Sequence, residues 1–186
     1  VDQDDEVKRF LGSNFRLGEI EAAIAKPQVE RIDSIVETRI TAAHSLIEGL
    51  SKLPGLVLPR PVSDRSNVFY ILPIVLTNLG KVSRDKLVEI LRAEGIPGIV
   101  SKYTNIHRLP IFKEAKNAGR EIYPWSINDA AIALSTYGDG ACPVAEELFD
   151  LRFFGIHMCA SDFTETEVAQ VIGAFKKVWS ELGWTE

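Results

Sequence analysis

A chain of 186 residues, 46% hydrophobic and 25% charged, can bury one sizeable core and has the composition of an ordinary globular protein. Its formal net charge of −5 gives no support to nucleic-acid binding. No apolar run approaches the roughly 20 residues that a membrane-spanning helix needs. The acidic first ten residues are the opposite of a signal peptide's positive start, and two cysteines fit a reducing compartment, so we expect a cytoplasmic protein.

Two helices are predicted between Gly18 and about Leu50, where apolar residues recur at steps of three and four. Pro27 cannot donate a backbone hydrogen bond, so we expect a short helix followed by a long one with Pro27 near its first turn. If collinear, the pair would reach about 50 Å. That length exceeds what a domain of this size can enclose, so we expect part of it to bridge to another domain or subunit.

Shorter elements follow. Residues 67–76 are rich in β-branched and aromatic side chains and predict a strand, which Pro73 places at an edge or bulge. Ser83 is a candidate N-cap for a helix that Gly95 stops. Residues 96–100 predict a second strand.

Irregular structure is predicted over residues 103–141, which mix glycine, proline, asparagine and aromatic residues. Pro143 then opens a helix with Glu146 and Glu147 in its first turn, where the helix dipole favours acids. Residues 153–159 predict a further strand.

The last helix begins with a capping box, Thr164 to Glu167, and continues with an apolar face. The element order predicts an α+β fold with helices covering a three- to four-stranded sheet. The three histidines are scattered and neither cysteine lies in a C-x-x-C motif, so no metal site is predicted.

Three stretches carry a family resemblance. The segment from Gly12 to Asp33 resembles the G-x-N-[YF]-R-[ML]-x-E-[LI]-x-A-A-[IL]…Q-[LV]-E-R-[LI]-D motif of the DegT/DnrJ/EryC1/StrS family of pyridoxal-phosphate-dependent sugar aminotransferases. The second segment, Ser101–Phe112, is similar to the family's Y-x-P-L-H-x-Q-P-x-[YF] stretch, with Asn105 in place of proline and Leu109 in place of glutamine. It matches at Tyr103, His107, Pro110 and Phe112.

The third resemblance lies in Cys142–Leu148 and the following Gly155–Thr164. These stretches are similar to the family's P-x-A-E-x-[LI]…[LI]-x-[LI]-P-[ML]…[LF]-[ST]-x-x-[ED]-[VI] motif, and we interpret them as structural rather than catalytic. His157 stands where the family usually has proline. The matching residues are Pro143, Ala145, Glu146, Met158, Phe163, Thr164 and Val168.

The resemblance implies the C-terminal domain of a fold-type-I pyridoxal-phosphate enzyme, entered through a long interdomain helix. Residues 1–17 would be the tail of a large domain, 18–52 the interdomain helices and 53–186 the small α+β domain. The catalytic Schiff-base lysine would lie upstream of Val1, so we expect this chain alone to be inactive.

The resemblance also implies site residues. Asn14 would bind the phosphate of pyridoxal phosphate in the neighbouring subunit of a homodimer. Arg16 would lie near the mouth of the active site, and Tyr103 and His107 would face the substrate. From the residues alone, His107 could bond a sugar hydroxyl or a phosphate oxygen, or be an ordinary loop histidine.

The implied reaction transfers an amino group from glutamate or glutamine to a ketone, which would be a nucleotide-linked keto-sugar or a keto-cyclitol. Two alternatives stay open. Some family members have lost the lysine and act as sugar dehydratases. A chain that lacks the lysine half could also be a non-catalytic dimerisation or ligand-binding module.

Overall fold

The computed structural model describes residues 16–60, 66–77, 80, 82–101, 104–110, 112 and 138–184. The chain divides into two compact units. One unit combines Val1–Arg16 with Tyr103–Asp150, and the other combines Leu17–Lys102 with Leu151–Glu186. By this division His107 belongs to the first unit and the sheet to the second.

In chain order, the described elements are α1 (Glu19–Val29), α2 (Ile32–Leu50), β1 (Leu56–Val57), β2 (Ile71–Leu76), α3 (Arg84–Ala93), β3 (Ile99–Val100), a 3₁₀ turn (Ile106–Arg108), α4 (Pro143–Glu147), a π-helical turn (Leu148–Arg152), β4 (Phe153–His157) and α5 (Glu165–Glu181). No described helix is long and apolar enough to cross a membrane.

The four strands form one antiparallel sheet in the order β1-β2-β4-β3. In β2 the residues alternate between buried and half-buried, as expected for a strand with one face on the core. Leu72 of β2 and Ile99 of β3 both pair with Ile156 of β4, so the centre of the sheet is aliphatic. The α+β architecture with a four-stranded sheet confirms the predicted fold class.

The C-terminal helix α5 supplies much of the core. It packs against α2 and α3, and Phe175 stacks on Phe154 of β4 with ring centroids 6.5 Å apart. Trp179 is fully buried, and its indole Nε1 donates to the carbonyl oxygen of Pro54 at 2.9 Å. That bond satisfies the one polar atom of a side chain that is otherwise surrounded by apolar groups.

Both predicted helix caps in this unit are confirmed. The Ser83 hydroxyl accepts from the backbone N–H of Lys86, and α3 ends before Gly95, whose φ of 85° favours glycine. Thr164 and Glu167 form the reciprocal bonds of a capping box at the start of α5.

The predicted position of the helix break near Pro27 is wrong. Pro27 lies inside α1, and the chain leaves the helix only at Glu30 and Arg31. Proline costs a helix one hydrogen bond and a clash with the preceding turn. Pro27 is tolerated here because it lies near the C-terminal end of a short helix, which ends at Val29.

Two strands are shorter at their starts than predicted. In the 67–76 segment, Phe69 has a left-handed φ of 50° and its N–H donates to the side chain of Asn67 at 2.9 Å, so extended structure begins only at Ile71. In the 96–100 segment, Gly98 has a φ of 64° and the strand begins at Ile99.

The predicted strand 153–159 ends at His157, because the N–H of Ala160 turns back to the carbonyl oxygen of His157 at 3.0 Å. The prediction that Pro73 places its strand at an edge or bulge is wrong, because β2 lies between β1 and β4 and pairs with β4 in unbroken register. However, β1 pairs only with Val75 and Leu76, so Pro73 itself faces a strand on one side, opposite Gly155. The missing N–H therefore costs no ladder bond on the other side.

An apolar face is exposed on the two N-terminal helices. No residue of α1 is buried. Large apolar side chains are nevertheless exposed along α1 and the start of α2, and their spacing of three to five residues is helical. They are Leu17, Ile20, Ile24, Val29, Ile32 and Ile35.

Candidate functional site

The candidate site centres on His107, which lies in a 3₁₀ turn and is only 9% exposed. Its Nε2 atom is 2.9 Å from Oε1 of Glu146, the buried acid of helix α4. The N–H of Gly138 donates to the carbonyl oxygen of His107 at 3.1 Å. The turn that carries the histidine is thereby joined to the segment that leads into α4.

The Glu146 carboxylate is surrounded by hydrogen-bond donors. The backbone N–H of Gly140 is 2.9 Å from both oxygens, and that of Cys142 is 3.1 Å from Oε1. The guanidinium of Arg108 adds a contact of 3.1 Å to Oε2. Glu146 closes the turn that precedes α4 and also contacts two side chains of the 3₁₀ turn, those of His107 and Arg108.

These donors stabilise the ionised carboxylate. They lower the pKa of Glu146 from 4.5 to about 2, with the Gly140 N–H the largest contribution, although burial acts in the opposite direction. Glu146 is therefore a carboxylate, and an acceptor only, throughout the neutral range.

Arg108 carries the positive charge of the cluster. Its Nη1 is 3.0 Å from Oδ1 of Asp150, and its Nε is 3.0 Å from Oδ1 of Asp139. The Nε contact is an ion pair without hydrogen-bond alignment. The hydrogen bond to Asp150 is the main reason that the pKa of Arg108 is raised. With three acids around one arginine, the cluster has an excess of negative charge when His107 is neutral.

The predicted site residues have different outcomes. His107 lies in this cluster. Arg16 is exposed at the start of the described residues. Asn14 and Tyr103 lie outside the described residues. The roles of all four as cofactor- and substrate-binding residues stay predictions.

Family membership follows from a match to a known family. The model of the DegT/DnrJ/EryC1/StrS aminotransferase family matches residues 1–142, about three quarters of the chain. This chain belongs to that family. The membership predicted from the Gly12–Asp33 motif is thus confirmed.

Curated DegT/DnrJ/EryC1/StrS relatives are similar at low identity. A protein of Micromonospora echinospora assigned as an L-glutamine:3-amino-2,3-dideoxy-scyllo-inosose aminotransferase is 27% identical over 182 residues, covering 94% of this chain and 42% of that protein. The dTDP-3-amino-3,4,6-trideoxy-alpha-D-glucose transaminase of Streptomyces venezuelae is 29% identical over 101 residues, 54% of this chain and 25% of that protein.

A dehydratase is also among the relatives. The dTDP-4-dehydro-2,6-dideoxy-D-glucose 3-dehydratase of Saccharopolyspora spinosa is 32% identical over 108 residues, 57% of this chain and 23% of that protein. In each of these three comparisons the chain spans less than half the length of the curated relative.

Solved structures share the fold. An aminotransferase from Psychrobacter cryohalolentis aligns over 94% of this chain and 42% of its own, with a TM-score of 0.66 and 19% identity. DesV of S. venezuelae, solved in complex with a ketimine intermediate, aligns over 91% of this chain and 38% of its own, with a TM-score of 0.61 and 22% identity.

DegT/DnrJ/EryC1/StrS aminotransferases depend on pyridoxal phosphate. Of the residues that the resemblance assigns to the active site, Arg16 and His107 lie within the described part of the chain. The described residues contain no group of three or more histidine, cysteine, aspartate or glutamate side chains that could hold a metal ion.

Sequence reasoning misses the contact between Glu146 and His107. The pattern assigns Glu146 to the dipole-favoured first turn of a structural helix, which α4 confirms. The contact with His107 joins residues 39 positions apart, and no local pattern reports such a pairing. The one signal in the sequence is the joint match of both residues to family motifs.

Proposed function

We propose that this chain is the C-terminal part of a pyridoxal-phosphate-dependent aminotransferase that acts on a keto-sugar or keto-cyclitol. The family model over residues 1–142 is the observation that carries the proposal. The amino donor would be glutamate or glutamine, and the ketone would be nucleotide-linked or a free cyclitol. The similar relatives include transaminases of dTDP-linked sugars and an L-glutamine-dependent inosose aminotransferase, which supports this substrate range.

In this proposal residues 18–52 connect the small domain to a preceding large domain. The exposed apolar face of α1 supports that arrangement, because a helix in water rarely leaves a contiguous apolar stripe uncovered. The enzyme would be a cytoplasmic homodimer. The Schiff-base lysine would belong to the large domain.

The residues of this chain would bind and orient the cofactor and the substrate. When bound, pyridoxal phosphate supplies an electron sink for the carbon that carries the amino group. Asn14 would hold the cofactor phosphate of the neighbouring subunit, and Arg16 would place a positive charge at the mouth of the site. Tyr103 and His107 would contact hydroxyl groups of the sugar or cyclitol.

A sugar dehydratase of the same family is the second candidate, because one relative at 32% identity carries that activity. The two candidates share the fold and the cofactor. They differ in whether the position that binds the cofactor aldehyde is a lysine, and that position would lie in the large domain.

The first measurement is the intact mass of the native protein from its source. A mass near twice the 20.6 kDa of this chain supports the aminotransferase proposal. A mass equal to that of this chain overturns it in favour of a non-catalytic module. The second is an assay of the native protein with pyridoxal phosphate, glutamate or glutamine, and a dTDP-keto-sugar or inosose. An amino-sugar product supports the first candidate, and a dehydrated product supports the second.

This chain alone should not transaminate, because it would lack the lysine. Turnover of glutamate and keto-sugar by the isolated chain would contradict that prediction.

A further inference from the structure

We propose that Glu146 is the positioning residue of His107: it holds the imidazole in the tautomer with the proton on Nε2 and leaves Nδ1 as the ring's only acceptor. This inference rests on the proposed function only where it assigns the acceptor to a substrate hydroxyl. The tautomer itself follows from the contacts of the two side chains.

The hydrogen bond between His107 and Glu146 has a defined donor. The Nε2 atom of His107 and Oε1 of Glu146 are 2.9 Å apart and both side chains are buried. A carboxylate can only accept. The backbone N–H groups of Gly140 and Cys142 already point at the same carboxylate, and they favour its ionised form. The hydrogen between His107 and Glu146 must therefore come from the histidine.

The neutral ring of His107 keeps one acceptor. A neutral imidazole carries one proton, so an Nε2 that donates leaves Nδ1 with a lone pair. A substrate hydroxyl can donate to that lone pair. A carbonyl or an ionised phosphate oxygen has no hydrogen to donate, and it could bond Nδ1 only as an acceptor after the imidazole gained a second proton. A neutral His107 in this tautomer would therefore bind a ligand group that donates a hydrogen, such as a hydroxyl of a sugar or cyclitol, and not a bare acceptor.

Backbone contacts hold the main chain of His107 and the side chain of Glu146 in place. Gly138 N–H bonds the backbone of His107 at 3.1 Å, and Glu146 is anchored by backbone amides rather than by mobile side chains alone. Among the described residues, the charged groups around the pair are Arg108, which contacts Glu146, and its partners Asp139 and Asp150. An orienting carboxylate fixed in this way sets both the ring plane and the tautomer of a histidine.

The test is the ¹⁵N resonance pair of the His107 ring in the 186-residue chain labelled at histidine, recorded across neutral and mildly alkaline pH. We expect a protonated Nε2 and an unprotonated Nδ1 in the neutral form. His44 and His157 serve as internal references, and they are assigned by substitution. A neutral His107 with its proton on Nδ1, or an averaged mixture like that of a free histidine, would overturn the proposal.

The variant arm uses Glu146→Gln. An amide can donate or accept, so we expect the fixed tautomer to be lost and the two ring resonances of His107 to move toward averaging, while the Trp179 indole signal in the other unit stays unchanged. A fixed Nε2–H tautomer that survives in Glu146→Gln would overturn the role of Glu146.

The kinetic arm uses the native full-length protein. There Glu146→Gln should raise KM for the hydroxyl-bearing ketone by about tenfold, the equivalent of one hydrogen bond of roughly 1.4 kcal/mol, with kcat changed less. An unchanged KM would overturn the substrate role of Nδ1. If the native protein has no aminotransferase or dehydratase activity, the proposed function fails while the ring resonances still decide the tautomer, so the two failures are distinguishable.

Discussion

Gly49 of α2 lies so close to Ile172 of α5 that a β-carbon added to the glycine would come within 2.3 Å of Cδ1 and 2.8 Å of Cγ1 of Ile172. The absence of a side chain on one helix thus allows the branched side chain of the other to fill the contact. The two longest described helices meet at this point, and α2 follows directly from α1 with its exposed apolar face.

Gly49→Ala should therefore destabilise the protein, although alanine is the better helix former by about 1 kcal/mol. Overpacking a close contact costs roughly 1–3 kcal/mol, so after the helix-propensity gain of alanine we expect a net loss of up to about 2 kcal/mol in the free energy of unfolding. Chemical denaturation measures it. Gly173→Ala is the matched control, because Gly173 is also helical and a β-carbon there meets nothing within 4 Å. It should stabilise by up to about 1 kcal/mol.

The double variant Gly49→Ala with Ile172→Ala tests the stated cause. Removing the Ile172 side chain makes room for the new methyl group, so the double variant should be more stable than the sum of the two single changes by about 1 kcal/mol. Strict additivity would show that the loss in Gly49→Ala does not come from this contact.

The capping box of α5 gives a second prediction. Thr164 Oγ1 accepts from the N–H of Glu167 at 3.3 Å, and Glu167 Oε2 accepts from the N–H of Thr164 at 2.7 Å. Thr164→Ala should cost about 1 kcal/mol in the free energy of unfolding, because one N-terminal amide of the helix loses its acceptor. Thr164→Ser keeps the hydroxyl and should cost much less. Equal losses for the two variants would contradict a capping role.

The features that sequence predicts well are local in the chain. The box at Thr164 and the N-cap at Ser83 span four residues each, and their chemistry fixes where a helix begins. The amphipathic spacing of α5 likewise reports its buried face, which ends at the fully buried Trp179. The sequence also predicts membership of the DegT/DnrJ/EryC1/StrS family, because the Gly12–Asp33 motif is long and specific.

The features that sequence misses depend on distant parts of the chain or on small differences in backbone energy. Nothing near Glu146 reports that its partner is His107, 39 residues away. A break is predicted at Pro27, yet the helix continues to Val29. Likewise the left-handed Phe69 shortens β2 where the pattern of β-branched and aromatic residues continues unbroken.

Acid should loosen the turn that precedes α4. The pKa of Glu146 is lowered from 4.5 to about 2 in the folded chain, chiefly by the Gly140 N–H. A lowered folded pKa contributes stability that is fully present above the unfolded value of 4.5, and is lost as pH falls through that range toward about 2. Hydrogen exchange at the Gly140 and Cys142 amides measures the effect locally.

At neutral pH both amides should exchange more slowly in the native chain than in Glu146→Gln. The difference should shrink as pH falls from 4.5 toward about 2, because protonated Glu146 resembles glutamine in charge. Glu147→Gln is the neighbouring control, since Glu147 is exposed. A difference that stays constant down to a pH of about 2 would show that the carboxylate charge is not what orders the turn.

The buried Arg84 provides the last prediction. It is 2% exposed at the start of α3, and its Nη1 donates to the carbonyl oxygens of Ser101 and Phe153, the latter at 2.5 Å. Ser101 follows β3 and Phe153 begins β4, so one guanidinium holds the ends of two paired strands. Its Nε contacts Asp85 at 2.6 Å.

Arg84→Met should destabilise the protein by about 2–6 kcal/mol, because two carbonyl groups lose their donor and each unpaired buried group costs roughly 1–3 kcal/mol. Arg84→Lys should recover less than half of that loss, since an ammonium lacks the planar fork of the guanidinium. The matched control is Arg92→Met on the same helix, where an exposed arginine bonds the carbonyl oxygen of Ile99 at 3.1 Å. The loss of stability in Arg92→Met should stay below about 1 kcal/mol. Equal losses at the two positions would show that the buried guanidinium of Arg84 does not stabilise the ends of the two strands.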